Sequence, residues 1–393
     1  MTPAARIQAA IDIIDQVVAA ARDNGPAADA LIQRYFRDRR YAGSKDRRAI
    51  RDLVYAAIRR AGERPAGGRA AVLGLVEDDP ALGALFDGSP HGPAPIAEDE
   101  APAPAGLVPH WLASRLSHLS AADLDAMRGR APLDLRVNLL KADRAAVIAD
   151  FPGSLPLPLT DAGVRLGEAV AIERHMLFQN GIIEIQDDGS QRIAQACAAG
   201  PGDLVVDLCA GAGGKALALA AAMANKGRII ACDADRARLA RLAPRAERAG
   251  VSIIAERLLD GGREGQAVPD LVDQADVVLV DAPCSGTGTW RRNPEARWRL
   301  TAERLERLTA LQARLMTLGA SLVKPGGRLV YAVCSLLKEE GEMQLARFQA
   351  EHPDWHVRPL AGIGGRDAGG GRLLTPLDDG TDGFFVASIE RPC

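Results

Sequence analysis

The sequence lacks the cysteine spacings from which disulfide or metal frameworks are built. Its six cysteines (Cys197, Cys209, Cys232, Cys284, Cys334 and Cys393) are scattered, with no C-x-x-C pair, so neither a disulfide scaffold nor a zinc site is indicated. His110, His118 and His175 also lack metal-ligand spacing and read as surface or satisfied histidines. No apolar run approaches the length that spans a bilayer, and no charged-then-apolar leader opens the chain. A cytoplasmic protein without membrane contact or metal is therefore expected. An excess of one charge is missing too: the net charge is −3 with 25% charged residues, so partners must be read from local charge. What is present is an ordinary globular composition, 47% hydrophobic over 393 residues, enough for two or three domains with their own cores.

Residues 1–76 read as helical. Ile7, Ile11, Ile14, Val17 and Val18 recur at helix spacing until Asn24-Gly25-Pro26 stops the pattern, and Leu31, Ile32, Tyr35 and Phe36 form a second apolar set. From Arg34 to Arg60 there are ten Lys or Arg against three Asp, interleaved with Tyr35, Tyr41 and Tyr55. Such density suits contact with a phosphate backbone, but a solvated helix face explains it equally well. Residues 77–105 hold Pro80, Pro90, Pro93, Pro95, Pro102 and Pro104 with Glu98-Asp99-Glu100, and predict an acidic, flexible, partly extended linker. Residues 106–185 read as a small α+β unit, with strands around Leu133–Asn138, Val164–Leu166 and Gly181–Gln186 and a helix from Ala145 to Phe151.

Residues 186–393 switch to alternating strands and helices, the pattern of a parallel sheet with crossover helices. The strands are Asp203–Cys209, Gly227–Asp233, Val251–Ala255, the run ending at Asp281, and Arg328–Cys334; Gly383–Ile389 adds a last one. Helices are expected over Ala216–Ala224, Arg236–Ala249, Thr301–Val323 and Lys338–Ala350. Val277 to Val280 do not alternate and are rich in β-branched residues, so this strand should be buried on both faces. At its carboxyl end, where ligands bind in open parallel sheets, the sequence turns to Asp281-Ala282-Pro283-Cys284-Ser285-Gly286.

Between the first strand and first helix, Ala210-Gly211-Ala212-Gly213-Gly214-Lys215 forms a tight turn that lets a ligand approach the backbone and the helix amides. It matches neither G-x-G-x-x-G nor the phosphate-cradling G-x-x-x-x-G-K-[ST]. Asp233, ending the second strand, suits hydrogen bonding to ribose hydroxyls, so dinucleotides and adenosyl ligands both fit. Cys284 and Cys334 follow the fourth strand and end the fifth. Adjacent parallel strands would bring both thiols to one rim beside Asp281 and Lys215. A buried structural Cys at one such position is unremarkable, whereas two at matching strand ends beside an acid point to thiol chemistry.

These residues resemble the Sun/RsmB family of S-adenosylmethionine-dependent RNA (cytosine-5)-methyltransferases. Matching motifs run in order: Arg136-Val137-Asn138-Leu139-Leu140-Lys141, Gln186-Asp187-Asp188-Gly189-Ser190, Asp207 to Lys215, Asp281 to Gly286, Cys334-Ser335, and Asp382-Gly383-Phe384-Phe385. The cofactor loop departs from the family, which usually carries Pro at the Ala212 position and Thr at that of Ala216; glycines alone would then hold its geometry. The resemblance implies an α/β, doubly wound, Rossmann-like class I methyltransferase sheet over 186–393, an RNA-binding subdomain over 106–185 and a helical RNA-binding extension over 1–76. It implies that Cys334 attacks C6 of cytosine, that Asp281 acts near N3, and that Cys284 assists release from the covalent adduct. Cys209, Ala210, Gly211, Ala212, Gly213, Gly214 and Lys215, with Asp233, Asp260 and Asp281, would hold S-adenosylmethionine.

Three functions compete at this point: methylation of RNA at cytosine C5, with ribosomal RNA favoured over tRNA; methylation of a protein or small molecule; and a catalytically silent RNA-binding module. The thiol pair favours the first over the second, and the intact Asp281 argues against the third. A monomer is expected.

Overall fold

Apolar residues at helical spacing build the first of two units. The computed structural model describes residues 1–23, 25–168 and 170–393, so Asn24 of the expected stop signal lies outside it. Its compact units are Met1–Arg130 with Thr289–Ala302, and Ala131–Gly288 with Glu303–Cys393. The first contains α1 (Pro3–Arg22), α2 (Ala28–Asp38), α3 (Ser44–Arg60) and α4 (Gly68–Asp78). Thr2 caps α1 by accepting from the Ala5 amide, and Pro3 occupies the first turn, where no amide partner is needed. All five apolar residues expected on the α1 stripe are buried. α4 packs so closely on α1 that a Cβ on Gly68 would lie 2.1 Å from the Ile11 carbonyl oxygen.

The proline-rich segment is not detached from these helices. Its 3-10 turn, Pro80–Leu85, is followed by buried Phe86, and Ala103 is buried as well. Arg60 of α3 pairs with Glu77 (2.5 Å) and Asp78 (2.9 Å), and Arg69 of α4 pairs with Glu100 (2.5 Å). Of the acids that suggested a solvated linker, Glu100 is thus held by a helix arginine. Nor does the unit end near residue 105. The Gly106 amide donates to the Arg60 carbonyl (2.8 Å) and that of His110 to Glu63 (2.5 Å).

Of the ten basic residues from Arg34 to Arg60, several are structural. Arg39 stacks 3.9 Å above the Tyr35 ring, Arg47 donates to the Ala42 carbonyl (2.8 Å), and Tyr35 itself is buried. Arg34, Arg37, Arg40, Lys45, Arg48 and Arg51 are exposed and form no ion pair among the described residues.

The second unit begins with a four-stranded antiparallel sheet: β1 (Leu133–Val137), β2 (Leu155–Pro156), β3 (Gly163–Leu166) and β4 (Ile183–Ile185), ordered β2-β3-β1-β4. Leu135, Val137, Val164 and Ile183 bury one side with Val147 of the helix Arg144–Asp150. The larger sheet comprises β5 (Leu204–Asp207), β6 (Arg228–Asp233), β7 (Ile254–Leu258), β8 (Ala275–Asp281), β9 (Val323–Val333), β10 (His356–Arg358), β11 (Arg366–Ala368), β12 (Gly371–Leu374) and β13 (Phe384–Glu390). Its order is β11-β12-β13-β9-β8-β5-β6-β7, with β10 beside β13. β5 to β9 are parallel, and β13 runs antiparallel to β9.

Helices cover both faces, as a doubly wound sheet requires. Val277, Leu279, Val330 and Ala332 pack with Leu217 and Ala220 of the helix Gly214–Ala222. On the other side, Gly319 of the helix Ala302–Leu322 rests against Val278, Val280 and Leu329. Val277 to Val280 are fully buried, each contributing roughly 1.5 to 3 kcal/mol by leaving water.

Local chemistry explains three departures from the sequence pattern. The expected helix Arg236–Ala249 is two pieces, Arg236–Leu239 and Leu242–Ala249, because Pro244 has no amide hydrogen and its ring would collide with the Ala240 carbonyl. β7 starts three residues late, since the amides of Val251 and Ser252 bond to the Ala246 carbonyl and the Asn225 side chain. Lys324-Pro325-Gly326-Gly327 lies within β9 as an irregularity: β8 pairs Ala275 with Val323 and then Val277 with Arg328.

Residues 289–302, expected between a strand and a helix of the sheet, instead complete the first unit. Arg297, 1% exposed, donates to the carbonyls of Leu107 (2.7 Å), Arg59 (2.9 Å) and Ile58, and Trp298 donates to that of Ala61 (2.9 Å). Arg297→Met would fill similar volume but leave these carbonyls without their donor. Urea unfolding of the variant should show a loss of about 3 kcal/mol. A loss below about 1 kcal/mol would mean that the carbonyls find other donors.

Candidate active site

The chain passes from β5 to β6 and β7 on one side, then returns to place β8 on the other, so the order reverses between β5 and β8. Asp207 and Asp281 end these two strands. After Asp207 the backbone turns through Gly211 (φ 56°) and Gly213 (φ 82°), both left-handed. A Cβ on Gly213 would also lie 2.0 Å from Leu242. The loop is not held by its glycines alone. Asp233 accepts from the Gly211 amide (2.7 Å), Arg245 donates to the Ala212 carbonyl (2.6 Å), and the Ala210 amide donates to the Cys232 carbonyl (2.8 Å).

Asp233 is buried, and its second oxygen accepts from the Asp235 amide (2.7 Å). Each carboxylate oxygen keeps a lone pair for a ribose hydroxyl. Arg236, Leu239, Ala240, Glu256 and Leu258 line a shallow cavity of about 260 Å³ nearby. Glycine turn, helix amides, acid and half-apolar cavity together fit an adenosyl group. Asp260, just beyond β7, is exposed and lies 4.0 Å from Arg263, with no hydrogen bond to the glycine loop.

Lys215 donates to Asp281 (2.6 Å). Burial pulls the ammonium down, but the Asp281 carboxylate outweighs it and leaves the pKa raised, so Lys215 is charged at neutral pH. Asp207 is 1% exposed with Oδ2 unpartnered, and burial together with the Asp281 charge pushes its carboxyl up to about 7. Burial likewise raises the Cys209 thiol well above its ordinary value.

The two cysteines predicted at one rim meet there. β8 and β9 align Asp281 with Ala332, and the Cys284 and Cys334 sulfurs lie 3.2 Å apart without a disulfide. The Cys284 thiol is pushed well up by its hydrogen bond with Cys334 and by burial, so it holds its proton at neutral pH. The Gly288 amide donates to the Cys334 carbonyl (3.1 Å), and Gly383 donates to the Gly288 carbonyl (2.8 Å). A Cβ on Gly288 would sit 1.9 Å from the Gly383 oxygen and one on Gly383 would lie 2.8 Å from Gly288 Cα, so the close approach of these two segments needs glycine at both positions.

Other motif residues are tethers around this rim. Arg136 donates to Gln186 (2.6 Å), Asn138 to the Gly181 and Ala249 carbonyls (3.0 and 2.8 Å), and the Asp382 amide to Asp187 (3.2 Å). Sequence reasoning missed Glu340, which is fully buried behind both cysteine loops. Its only sequence signal was a serine directly after each thiol. Among the described residues, no cluster of three or more His, Cys, Asp or Glu could hold a metal, and no helix is long and apolar enough to cross a membrane.

A family model described as 16S rRNA methyltransferase RsmB/F matches residues 194–390. A probable ribosomal RNA small subunit methyltransferase B of Synechocystis is 36% identical over 270 residues, covering 66% of this chain and 60% of that protein. The chain thus spans about three fifths of that relative's length. Among solved structures, PH0851 is similar over 100% of this chain and 99% of its own, with TM-score 0.79 and 23% identity, a likeness of fold. A methyltransferase homolog from Pyrococcus horikoshii covers 72% of this chain and 94% of its own, with TM-score 0.62 and 29% identity.

The Asp207 carboxyl sets a pH dependence of stability. It titrates near 3.8 ordinarily and near 7 when folded, so folding holds its proton more tightly. Below about pH 4 both states carry the proton and there is no penalty. Between about pH 4 and pH 7 the unfolded carboxyl is ionised while the folded one keeps its proton, so stability falls across that range, by on the order of 4 kcal/mol in full, and is level above it. Asp207→Asn does not titrate, so its melting temperature relative to wild type should rise from pH 5 to pH 8. A gap that does not change with pH would contradict this assignment.

Proposed function

Since this chain belongs to the 16S rRNA methyltransferase RsmB/F family, we propose that it transfers a methyl group from S-adenosylmethionine to C5 of a cytosine in RNA, ribosomal RNA before tRNA. The observation that carries this reading is the 3.2 Å separation of Cys284 and Cys334 beside the Lys215–Asp281 pair. Methyl transfer to a protein or small molecule has no need of two thiols. An RNA-binding scaffold has no need of an acid and a lysine aimed at them.

Cys209 to Lys215 and Asp233 would hold S-adenosylmethionine, with Asp260 assigned to its adenine side, and the cofactor would supply an electrophilic methyl group there. The protein's part is to make cytosine C5 nucleophilic. Cys334 is the sulfur assigned to the attack, with the Lys215 ammonium in its neighbourhood to favour the thiolate it must become. Its addition to C6 forms a C–S bond and pushes electron density onto N3 and C5. Asp281 stabilises the developing charge near N3. After C5 is methylated, loss of its proton and cleavage of the C6–S bond restore the aromatic base, and Cys284 assists that elimination. A stacked cytosine cannot meet the thiols at the sheet rim, so the base is flipped out of its stack.

RNA affinity would draw on the first unit's free cations. Neutralising Arg34, Arg37, Arg40, Lys45, Arg48 and Arg51 together should flatten the salt dependence of RNA binding, by about 0.7 to 0.9 in log–log slope for each phosphate left without its cation. An unchanged slope would return this surface to a solvated role.

The thiol roles are separable on a denaturing gel. Cys284→Ala leaves Cys334 free to attack and the methyl group free to transfer, but the saturated adduct cannot eliminate, so protein and RNA should migrate together. Cys334→Ala and the double variant should give no adduct and no methylation. Bisulfite sequencing with and without the gene would locate the cytosine. Methylation surviving in both single variants would refute thiol catalysis, and an adduct only in Cys334→Ala would exchange the two roles.

A further inference from the structure

Glu340 is 0% exposed, yet no cation pairs with it among the described residues. Its Oε1 accepts from the Ser285 amide (2.8 Å) and Gln312 Nε2 (2.9 Å), while Oε2 accepts from the hydroxyls of Ser335 (2.5 Å) and Ser285. The Glu340 carbonyl accepts from Tyr331 (2.6 Å). Four neutral donors on one carboxylate satisfy its lone pairs, but burying an anion without a counter-ion still costs several kcal/mol. A joint that served packing alone would be better made by a neutral amide.

The donors identify what is being joined. Ser285 and Ser335 each directly follow a thiol residue, Cys284 and Cys334. Gln312 also donates to the Pro283 carbonyl (3.0 Å), so the chain is pinned on both sides of Cys284. The Thr287 and Ser335 hydroxyls lie 3.0 Å apart, and the Leu336 amide donates to Thr287 (2.9 Å), closing the link between the two loops. The Glu340 charge adds to the Cys334 hydrogen bond and burial in raising the Cys284 thiol, and the Lys215 ammonium, paired to Asp281, has Cys334 among its neighbours. Tyr331, from β9, is buried beside Glu340 and raised well above its ordinary value by burial and by that charge, so it stays neutral.

We propose that Glu340 is the positioning residue of the thiol pair: its carboxylate fastens the two cysteine loops to each other through Ser285 and Ser335, and it sets a buried negative charge next to the Cys284 loop that helps hold the thiol proton there. The kinetic part rests on the RNA methylation proposed above; the electrostatic part does not.

Site-resolved iodoacetamide labelling across pH tests the electrostatic part without RNA. In a Cys334→Ala background, which leaves one thiol of the pair, adding Glu340→Gln should lower the pH midpoint of Cys284 labelling by about one unit. The melting curve should stay cooperative, since Gln preserves the shape and one acceptor. With Cys334 restored, single-turnover methylation should fall about tenfold or more in rate at little change in KM for RNA, as expected when alignment rather than binding is impaired. Glu340→Asp keeps the charge but shortens the tether, so it should slow turnover while leaving the labelling midpoint near wild type. A midpoint unmoved by Glu340→Gln in folded protein, or turnover unaffected by both variants, would overturn the proposal. If wild type labels as described but methylates no RNA, the function above fails while the role of Glu340 in holding the Cys284 proton stands.

Discussion

The site depends on the parallel register of β8 against β9, which aligns Asp281 with Ala332. From that pairing, three residues lead to Cys284 and two to Cys334, and the sulfurs meet. A slip of one residue would turn every β-strand side chain to the other face. Such a slip is prevented because both faces are filled: Val277 and Leu279 pack toward one helix layer, Val278 and Val280 toward the other. The chemistry at the rim is therefore positioned by apolar packing in the strands beneath it, and the loops need only finish the alignment.

Charge at the rim is arranged rather than merely accumulated. Asp207, Asp281 and Glu340 are three acids around two thiols, with one ammonium, Lys215, committed to Asp281. Asp207 answers by taking up a proton near neutrality, while Glu340 is satisfied by hydrogen bonds instead. The two sulfurs, 3.2 Å apart, thus share one rim with a paired ammonium and a hydrogen-bonded carboxylate.

How much of this was legible in the sequence follows from the range of each interaction. The individual strands and the glycine turn could be read because each depends on residues within about ten positions, on hydrophobic runs and turn chemistry, and the thiol pair, 50 positions apart, because each cysteine sits at the end of a legible strand. The break before Pro244 obeys a local rule that periodicity alone had overridden. The three short strands β10 to β12 carry only three or four residues each, too few to show alternation, and exist because β13 offers a partner to β10 and β12, and β12 in turn to β11. Residues 77–105 looked like a linker because composition cannot reveal that Arg60 and Arg69 lie opposite their acids. Arg297 is the extreme case: its carbonyl partners lie about 190 to 240 positions away, and nothing near it in sequence signals a buried guanidinium.

The cofactor loop shows how a departure from a family pattern can be absorbed. Proline at position 212 would stiffen the turn through its ring, reducing the freedom given up on folding. With Ala212 in its place the backbone must be restrained from outside, and it is: Asp233 holds the Gly211 amide, Arg245 the Ala212 carbonyl, and β6 the Ala210 amide. Asp233 thereby serves the loop as well as any ribose it meets. Arg245 is itself anchored by Glu184 (2.8 Å), which ends its reach in β4 of the small sheet. The turn is held by a chain of charged and polar contacts that runs through Arg245 into the neighbouring sheet.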